Sequence, residues 1–510
     1  MTALETMLNQ PYLLRTKAQQ PGGGEKQELE GYAEKAAFLI NGNRYFAELA
    51  RALRQARRRV WIVGWDFNPD IPMEPEKSGE TLAELLHAVA EANPAIEIRI
   101  LIWTLGPIYS GKSLQVLRKK NFPRNARIDL RFDLQNTVRG CHHEKLVCID
   151  DAVAFIGGLD LTSRRWDTRR HRAKEVLRRD PEGVSYDPLH DVQAMVTGDA
   201  ARLIGDISRR RWEKATGESH GPLAESYPFT WPDDLAVSLK QIPVSLVLTE
   251  PATTFRTGIS DGIASTLDVI ARARRQLYIE AQYLASFRVA DALAARLQEE
   301  DGPEIVVICT RRSHGLIEKL VMGGNRDRVI RRLKRADRAD RFRIYYPVVP
   351  GPPVPGPPVP GPTVPGPPKD DGVDVLIHSK LIIADEELIR IGSSNLNNRS
   401  EGLDSECDML LEADNDEHRG GIADLRHRLL AEYLGTTTET FAAAFAQSGS
   451  IIQAIHTLND GPRGLREFAI DLSGSISPIK GTAFFDPARP FGLLDRLGLG
   501  ALFRLLVRPA

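Results

Sequence analysis

Two stretches of this sequence share a pattern too long to coincide by chance. The first is Cys141-His142-His143-Glu144-Lys145-Leu146-Val147-Cys148-Ile149-Asp150, followed by Gly157-Gly158-Leu159-Asp160. The second is Ile377-His378-Ser379-Lys380-Leu381-Ile382-Ile383-Ala384-Asp385, followed by Gly392-Ser393-Ser394-Asn395. Both obey H-x-K-x4-D-x6-G-[GS]-x-[ND]. A repeat about 235 residues apart is too long for a solenoid and fits two homologous half-domains. The chain of 510 residues has the length for two large units.

The flanks repeat as well. Apolar spacing predicts a helix over 43–57, a strand at Val60–Val63, a helix over 81–92 and a strand over 97–103. The same series recurs as helix 259–275, strand 276–282, helix 289–299 and strand 304–308. Alternation of this kind is α/β. The expected organisation is a flexible leader over 1–30 and a first half over 31–220. A joint over 221–242, a second half over 243–445 and a tail over 446–510, possible as an amphipathic segment, follow. Val349 to Pro368 holds four tandem Val-Pro-Gly-Pro-Pro/Thr copies, whose proline density forbids helix and ladder alike. It is expected to be a surface loop, either a passive expansion or a lid over a site.

The repeated motif carries chemistry. Residues i and i+2 of a strand share a face, so each His and its Lys point into one cavity. An imidazole beside an ammonium suits a phosphate. Asp150 and Asp385 complete the motif, but the odd interval from each His turns them to the opposite side, where they are expected to anchor the strand-end turn. Hydrolysis of a phosphodiester needs a nucleophile, an acid for the departing oxygen and cations on the phosphoryl oxygens. Two facing His-Lys pairs, His143 with Lys145 and His378 with Lys380, supply all three without a metal. One imidazole attacks phosphorus; the other protonates the leaving oxygen and then activates water. A zinc site at Cys141, His142, His143 and Cys148 is the rival reading, and its spacing fits no common zinc pattern.

These motifs resemble the twin H-x-K-x4-D signatures of the phospholipase D superfamily. The resemblance extends over roughly 40–440: Trp61 to Pro69, the block His143 to Asp167 with His171, Pro188-Leu189-His190-Asp191-Val192, Tyr278 to Tyr283, and Gly392 to Ser400 with Asp404-Ser405-Glu406. It implies a pair of α/β halves with mixed sheets flanked by helices, a site at their interface, and metal-free catalysis through phosphohistidine. His143 is the implied nucleophile and His378 the acid and base. Glu406 is implied to hold one imidazole in its useful tautomer, with Asp160 or Asp167 doing so for the other, while Ser393 and Asn395 orient phosphate. Ala281 departs from the family's Glu-Asn-Gln block, and no lipid-targeting domain of the eukaryotic kind is visible.

Composition narrows the function. With 67 basic and 68 acidic residues the formal charge is -1, so no whole-molecule field favours nucleic acid. Hydrophobic content of 42% and charged content of 26% exclude a disordered or fibrous chain. Four cysteines are too few and too scattered for a secreted disulfide scaffold. No signal peptide or membrane span is read, which points to the cytoplasm with peripheral membrane contact, or to export by a non-classical route. Basic runs such as Arg209-Arg210-Arg211 read first as solvated helix faces. The expected activity is hydrolysis of glycerophospholipid to phosphatidic acid and head-group alcohol, with transphosphatidylation. A cardiolipin-synthase-like transferase, a nuclease of the same superfamily and a non-catalytic lipid-binding module are the alternatives. The expected partner is a phospholipid surface, no metal or cofactor is required, and a monomer suffices because the duplication brings both motifs into one chain.

Overall fold

The computed structural model describes residues 29–103, 127–134, 137, 139–253, 256–311, 322–351 and 372–490. Nearly all of the Val-Pro-Gly-Pro repeat, and the apolar stretch after residue 490, lie outside these residues.

The first half comprises β1 (Glu30–Ile40), α1 (Gly42–Gln55), β2 (Arg59–Gly64), α2 (Leu82–Ala92), β3 (Glu97–Trp103), β4 (Ile128–Asp133), β5 (Leu146–Ile149), β6 (Val153–Gly157), β7 (Leu189–His190), β8 (Val192–Gly198) and α3 (Asp199–Thr216). The second comprises β9 (Leu239–Glu250), β10 (Ile259–Ser260), α4 (Asp261–Arg272), β11 (Gln276–Ala281), α5 (Phe287–Gln298), β12 (Glu304–Cys309), α6 (Gly324–Ala336), β13 (Phe342–Pro350), β14 (Gly372–Asp374), β15 (Leu376–Ile377), β16 (Lys380–Ala384), β17 (Leu388–Gly392), β18 (Glu406–Glu412) and α7 (Asp416–Leu434). Then come α8 (Thr438–Ser448), α9 (Ile451–Leu458) and β19 (Gly464–Glu467). The expected helices and strands are present, with ends moved by a few residues. Thr81, for instance, is the N-cap of α2, and it closes a capping box with Glu84.

Strand pairing makes the duplication explicit. The first half's ladders run β4-β3-β2-β5-β6-β8-β1. The second half's run β13-β12-β11-β16-β17-β18-β9. In each, three strands are parallel and the rest antiparallel, so the mixed sheet expected from the resemblance is observed. The halves join where β1 pairs antiparallel with β9, Ala36 opposite Leu239 and Glu30 opposite Ser245. One mixed sheet therefore runs through both halves.

Helices cover both faces. α1 and α2 pack on the first half through Phe46, Leu49, Leu53, Leu82 and Leu86, and α4, α5 and α6 on the second through Val269, Leu293 and Leu333. On the opposite face α3 and α7 share a single core with β1, β8, β9 and β18, which is what holds the two halves together. The apolar area in this shared layer is buried between halves, so neither half would be stable with that face in water.

Two boundaries differ from those read in the sequence. The joint over 221–242 overruns into β9, whose Pro243 lies opposite Tyr32. The segment 446–490 is no separate tail: α9 packs on the shared core, and β19 pairs with β13, Tyr345 opposite Glu467. Among the described residues no helix is long and apolar enough to cross a membrane.

Candidate active site

Each His-x-Lys sits where the chain runs into a core strand. His143 and Lys145 directly precede β5, and Lys380 opens β16 with His378 two residues before it. Backbone bonds across the halves fix both of these strand starts: His143 N–H donates to Ser405 O (2.9 Å) and His378 N–H to His190 O (2.8 Å). Ser405 immediately precedes Glu406, and His190 immediately precedes Asp191. The main chain thus delivers a carboxylate from each half beside the imidazole of the other.

The side chains meet accordingly. His143 Nδ1 lies 2.9 Å from Glu406 Oε2, and His378 Nδ1 lies 2.8 Å from Asp191 Oδ2. With Nδ1 engaged, each imidazole has Nε2 left for chemistry. Glu406 is held by Ser400, whose Oγ donates to Oε1 at 2.6 Å, and Asp191 accepts from Val192 N–H at 2.7 Å. Gly158 makes room for Asp191: a Cβ there would stand 2.5 Å from its Oδ2.

The lysines close the set. Lys145 Nζ lies 3.4 Å from Asp160 Oδ2 and donates to His143 O at 2.6 Å. Lys380 Nζ donates to His378 O and to Gln282 Oε1, the latter at 3.0 Å. Gln282 belongs to the block in which Ala281 departs from the family pattern.

Burial and crowding of cations set the protonation states. Desolvation, helped by Lys145 and Lys380, pulls His143 down to about 3, and His378 falls well below its ordinary value for the same reasons with Arg165 added. Burial pushes Glu406 well above the carboxylate range and Asp191 up to about 6. Lys380 comes down to about 7 through desolvation, opposed by Asp191. Without substrate, each imidazole is neutral and shares a proton with its carboxylate. An anion bound at Lys380 would favour the protonated form of His378, which shares Asp191 with that lysine.

Several residues named from the sequence stand elsewhere. Asp150 accepts from Arg57, Arg58 and Arg59 N–H (2.6–2.8 Å), and Asp385 from Arg274, Arg275 and Gln276 N–H (2.8–2.9 Å). Both have left-handed backbone, φ 55° and 52°, and anchor the turn at the far end of the strand, as the odd interval predicts. They belong to the motif and do not line the site. Asp160 partners Lys145 and the Trp65 amide (2.8 Å) and does not reach His378. Asp167 is buried against His171, Arg178 and the Leu189 amide. The expectation that one of these two holds the second imidazole is corrected: Asp191 does so. Ser393 Oγ is engaged by the Cys407 amide and carbonyl and also acts on the Glu406 carboxylate, so it braces β18 and the acid partner of His143 and does not face phosphate. Asn395 takes its backbone N–H to Ser400 Oγ, and its buried Oδ1 has no hydrogen-bond partner among the described residues. Arg209 and Arg211 are buried in ion pairs with Asp151 and Asp133, so only Arg210 of that run is exposed, and the reading of a solvated face is corrected.

Asp191 was signalled in the sequence by its register. Leu189-His190-Asp191 leading into β8 is the counterpart of Asp404-Ser405-Glu406 at the start of β18, a match obscured by the longer excursion over 160–188 in the first half. Behind Asp191 lies a buried network that the motifs do not announce. His190 bridges Glu280 and Glu432 (3.1 Å each), Glu280 accepts from Ser379 Oγ (2.6 Å), and His171 bridges Asp167 and Glu432.

His171, His190 and Glu432 are the grouping with metal-ligand spacing among the described residues. Their atoms are already committed. Glu432 receives Asn41, Arg169, His171 and His190; burial opposes charge on His190, but the Glu280 and Glu432 carboxylates outweigh it and bring His190 up to about 10, as a cation. This donor set suits protons better than a metal. All four cysteines are free and buried.

A phospholipase D family model matches residues 52–289. Phospholipase D1 of Saccharomyces cerevisiae is 26% identical over 487 residues, 78% of this chain and 28% of that protein. The chain is thus similar to the phospholipase D superfamily. Phospholipase D C of Dictyostelium discoideum is 27% identical over 248 residues, 42% of this chain and 14% of that protein. The chain thus spans less than a third of the length of either relative. In fold it is similar to phosphatidylserine synthase from Haemophilus influenzae, with a TM-score of 0.51 and 13% identity over 81% of this chain and 93% of that one.

Proposed function

We propose that this chain is a phospholipase D: it cleaves the head-group side of a glycerophospholipid's phosphodiester through a phosphohistidine intermediate. The observation that carries the reading is the crossed pairing, His143 with Glu406 and His378 with Asp191, each imidazole held by the opposite half. Similarity to proteins named phospholipase D supports the substrate class.

In the proposed reaction the two lysines neutralise the non-bridging oxygens. His143 Nε2 attacks phosphorus, a P–N bond forms, and the P–O bond to the head group breaks. His378, protonated once the anionic substrate is bound, gives its Nε2 proton to the departing alkoxide. Neutral His378 then takes a proton from water, whose oxygen attacks phosphorus, and the P–N bond breaks to release phosphatidic acid. An alcohol in place of water yields a phosphatidylalcohol. His143 suits the nucleophile because its side chain is the more accessible, 16% exposed against 8% for His378. Lysines do the charge work, so the reaction is expected to proceed with chelator present.

The test is a transphosphatidylation assay with mixed phospholipid vesicles, chelator and a primary alcohol, read by mass spectrometry. Phosphatidylalcohol, lost in His143→Ala, is the expected product. Folded protein giving none, while cutting single-stranded nucleic acid, would transfer the reading to the nuclease branch of the superfamily.

A further inference from the structure

Large apolar side chains are exposed at six described positions, Tyr32, Val176, Leu177, Val184, Leu472 and Phe484. Isolated exposure of this kind is ordinary. Three of the six, however, fall within nine residues, on the excursion that separates β6 from β7 and that the second half lacks. Val176 is 76% exposed, Val184 52% and Leu177 38%.

The tip bearing them is ordered by its own bonds. Asp180 N–H donates to Val184 O (2.9 Å), and Arg179 ties Val176 O to Gly183 O (3.2 and 3.0 Å). Gly183 supplies the left-handed turn at φ 81°. The root is clamped to the core: Arg178 is buried on Asp167, His171 reaches Glu432, and the Tyr186 hydroxyl donates to Trp166 O at 2.7 Å. A rigid base therefore holds an apolar tip in water.

Charge surrounds that tip. Arg164 and Arg169 are matched by Asp180 and Glu432, but Arg170, Arg172 and Lys174 are exposed and form no ion pair among the described residues. Arg179 adds a fourth cation, against Glu175, Glu182 and the exposed Asp187 at the far end of the excursion. The root also borders the candidate site, since Arg165 acts electrostatically on His378, Asp191 and Lys380. Exposed aliphatic side chains next in sequence to exposed cations, with Arg179 at the tip itself, match a bilayer interface with anionic head groups; a single-stranded nucleic acid would call for aromatic platforms.

We propose that the excursion over 164–187 docks the protein on an anionic phospholipid bilayer, Val176, Leu177 and Val184 entering the interface and Arg170, Arg172, Lys174 and Arg179 meeting the head groups. The proposal rests on the lipid reading above and adds the surface that presents the site to its substrate.

The test is sedimentation of the full chain with phosphatidylcholine vesicles, with and without phosphatidylglycerol, beside turnover of a water-soluble phosphodiester. Wild type is expected to bind the mixed vesicles more tightly, and less so as salt rises. V176D/V184D should lose at least about tenfold in affinity for both vesicles, and R170Q/R172Q/K174Q about fivefold per cation for the mixed vesicles alone. Soluble-diester turnover should be unchanged in both variants, which controls for folding. Wild-type vesicle affinity in V176D/V184D overturns the proposal. So does affinity for a single-stranded oligonucleotide that the basic variant loses while vesicle binding stays intact. If wild type turns over no soluble diester, the catalytic reading fails, and vesicle binding still decides the docking surface.

Discussion

Asp191→Asn should separate catalysis from stability, because its carboxylate holds His378 yet is costly to bury. The asparagine keeps the volume and keeps an acceptor for Val192 N–H, but it turns an N–H₂ toward His378 Nδ1. His378 must then accept there and carry its proton on Nε2, the wrong tautomer for a base. Asp191 also supports the charge on Lys380, which at about 7 is already marginal near neutrality. Its loss carries the lysine further down and removes a phosphate-binding cation. By analogy with the tautomer effect of an Asp→Asn change in a Ser-His-Asp triad, the expected loss in turnover is about 10³–10⁴-fold. Stability should move the other way. Burial raises the Asp191 carboxyl from 3.8 to about 6, so it destabilises the native state as it ionises, with the effect entering as pH rises from about 4 and complete above about 6. Two units correspond to at most about 3 kcal/mol, offset in part by the weaker Lys380 ion. Asp191→Asn should therefore melt higher than wild type at pH 8 and nearly level with it at pH 4. The assay is steady-state turnover of a soluble diester beside thermal unfolding at both pH values. Leaving-group dependence adds a check on role: with an aryl diester, whose leaving oxygen needs no acid, the variant should still form the covalent intermediate in a burst and fail to hydrolyse it. Turnover within tenfold of wild type on alkyl diesters would refute the assignment.

Other perturbations probe other parts of the argument. Asp150→Ala and Asp385→Ala each strand three backbone amides, so each should cost about 2–4 kcal/mol in urea unfolding, while the protein that remains folded keeps its turnover per molecule. Gly158→Ala sets a methyl 2.5 Å from Asp191 Oδ2 and should lower kcat by displacing that carboxylate, with KM little changed; an unaltered kcat would show that the carboxylate has room to shift. His190, raised to about 10 between Glu280 and Glu432, contributes stability that is whole below about pH 6.5 and lost as pH climbs through 10. A His190→Gln variant should consequently show a flatter decline of melting temperature between pH 7 and 10 than wild type.

The extent to which all this was legible in the sequence follows from where each signal resides. Local periodicity exposed the helices and the parallel strands, because α1, α2, α4 and α5 each bury one stripe on the sheet. It did not expose β1 and β9, the strands that join the halves. β1 is rich in alanine and interrupted by charge, and β9 contains Pro243; both take their order from each other and from β8 and β18. The spacing of the twin motifs alone marks the two imidazoles and the two lysines, and the odd interval rightly turns Asp150 and Asp385 away. The acid partners are harder, since Glu406 lies 263 residues after the imidazole it touches and Asp191 lies 187 residues before its own. Asp160 and Asp167 stand close in sequence to the first motif, but proximity along the chain is the wrong metric for a site built by crossing. Glu432, the acceptor for four donors, follows no motif and sits mid-core on α7.

The crossing explains why a duplicated chain keeps unequal halves. If each imidazole were held by an acid of its own half, each half would contain a complete and interchangeable dyad, and nothing would assign them different tasks. Because the carboxylates are exchanged, the two dyads differ in what surrounds them. Lys145 faces a carboxylate, Asp160, whereas Lys380 faces the neutral amide of Gln282 and leans on Asp191, which is also the partner of His378. The charge of the second dyad is therefore tied to its lysine, and an arriving phosphate monoanion shifts both toward the protonated forms together. In the proposed reaction that coupling is what an acid needs: His378 gains its proton as the substrate binds, while His143, on the more accessible side, keeps its lone pair for phosphorus. Reversing the assignment would require the imidazole tied to the marginal lysine to stay unprotonated beside a bound anion, against the direction in which the local charges drive it.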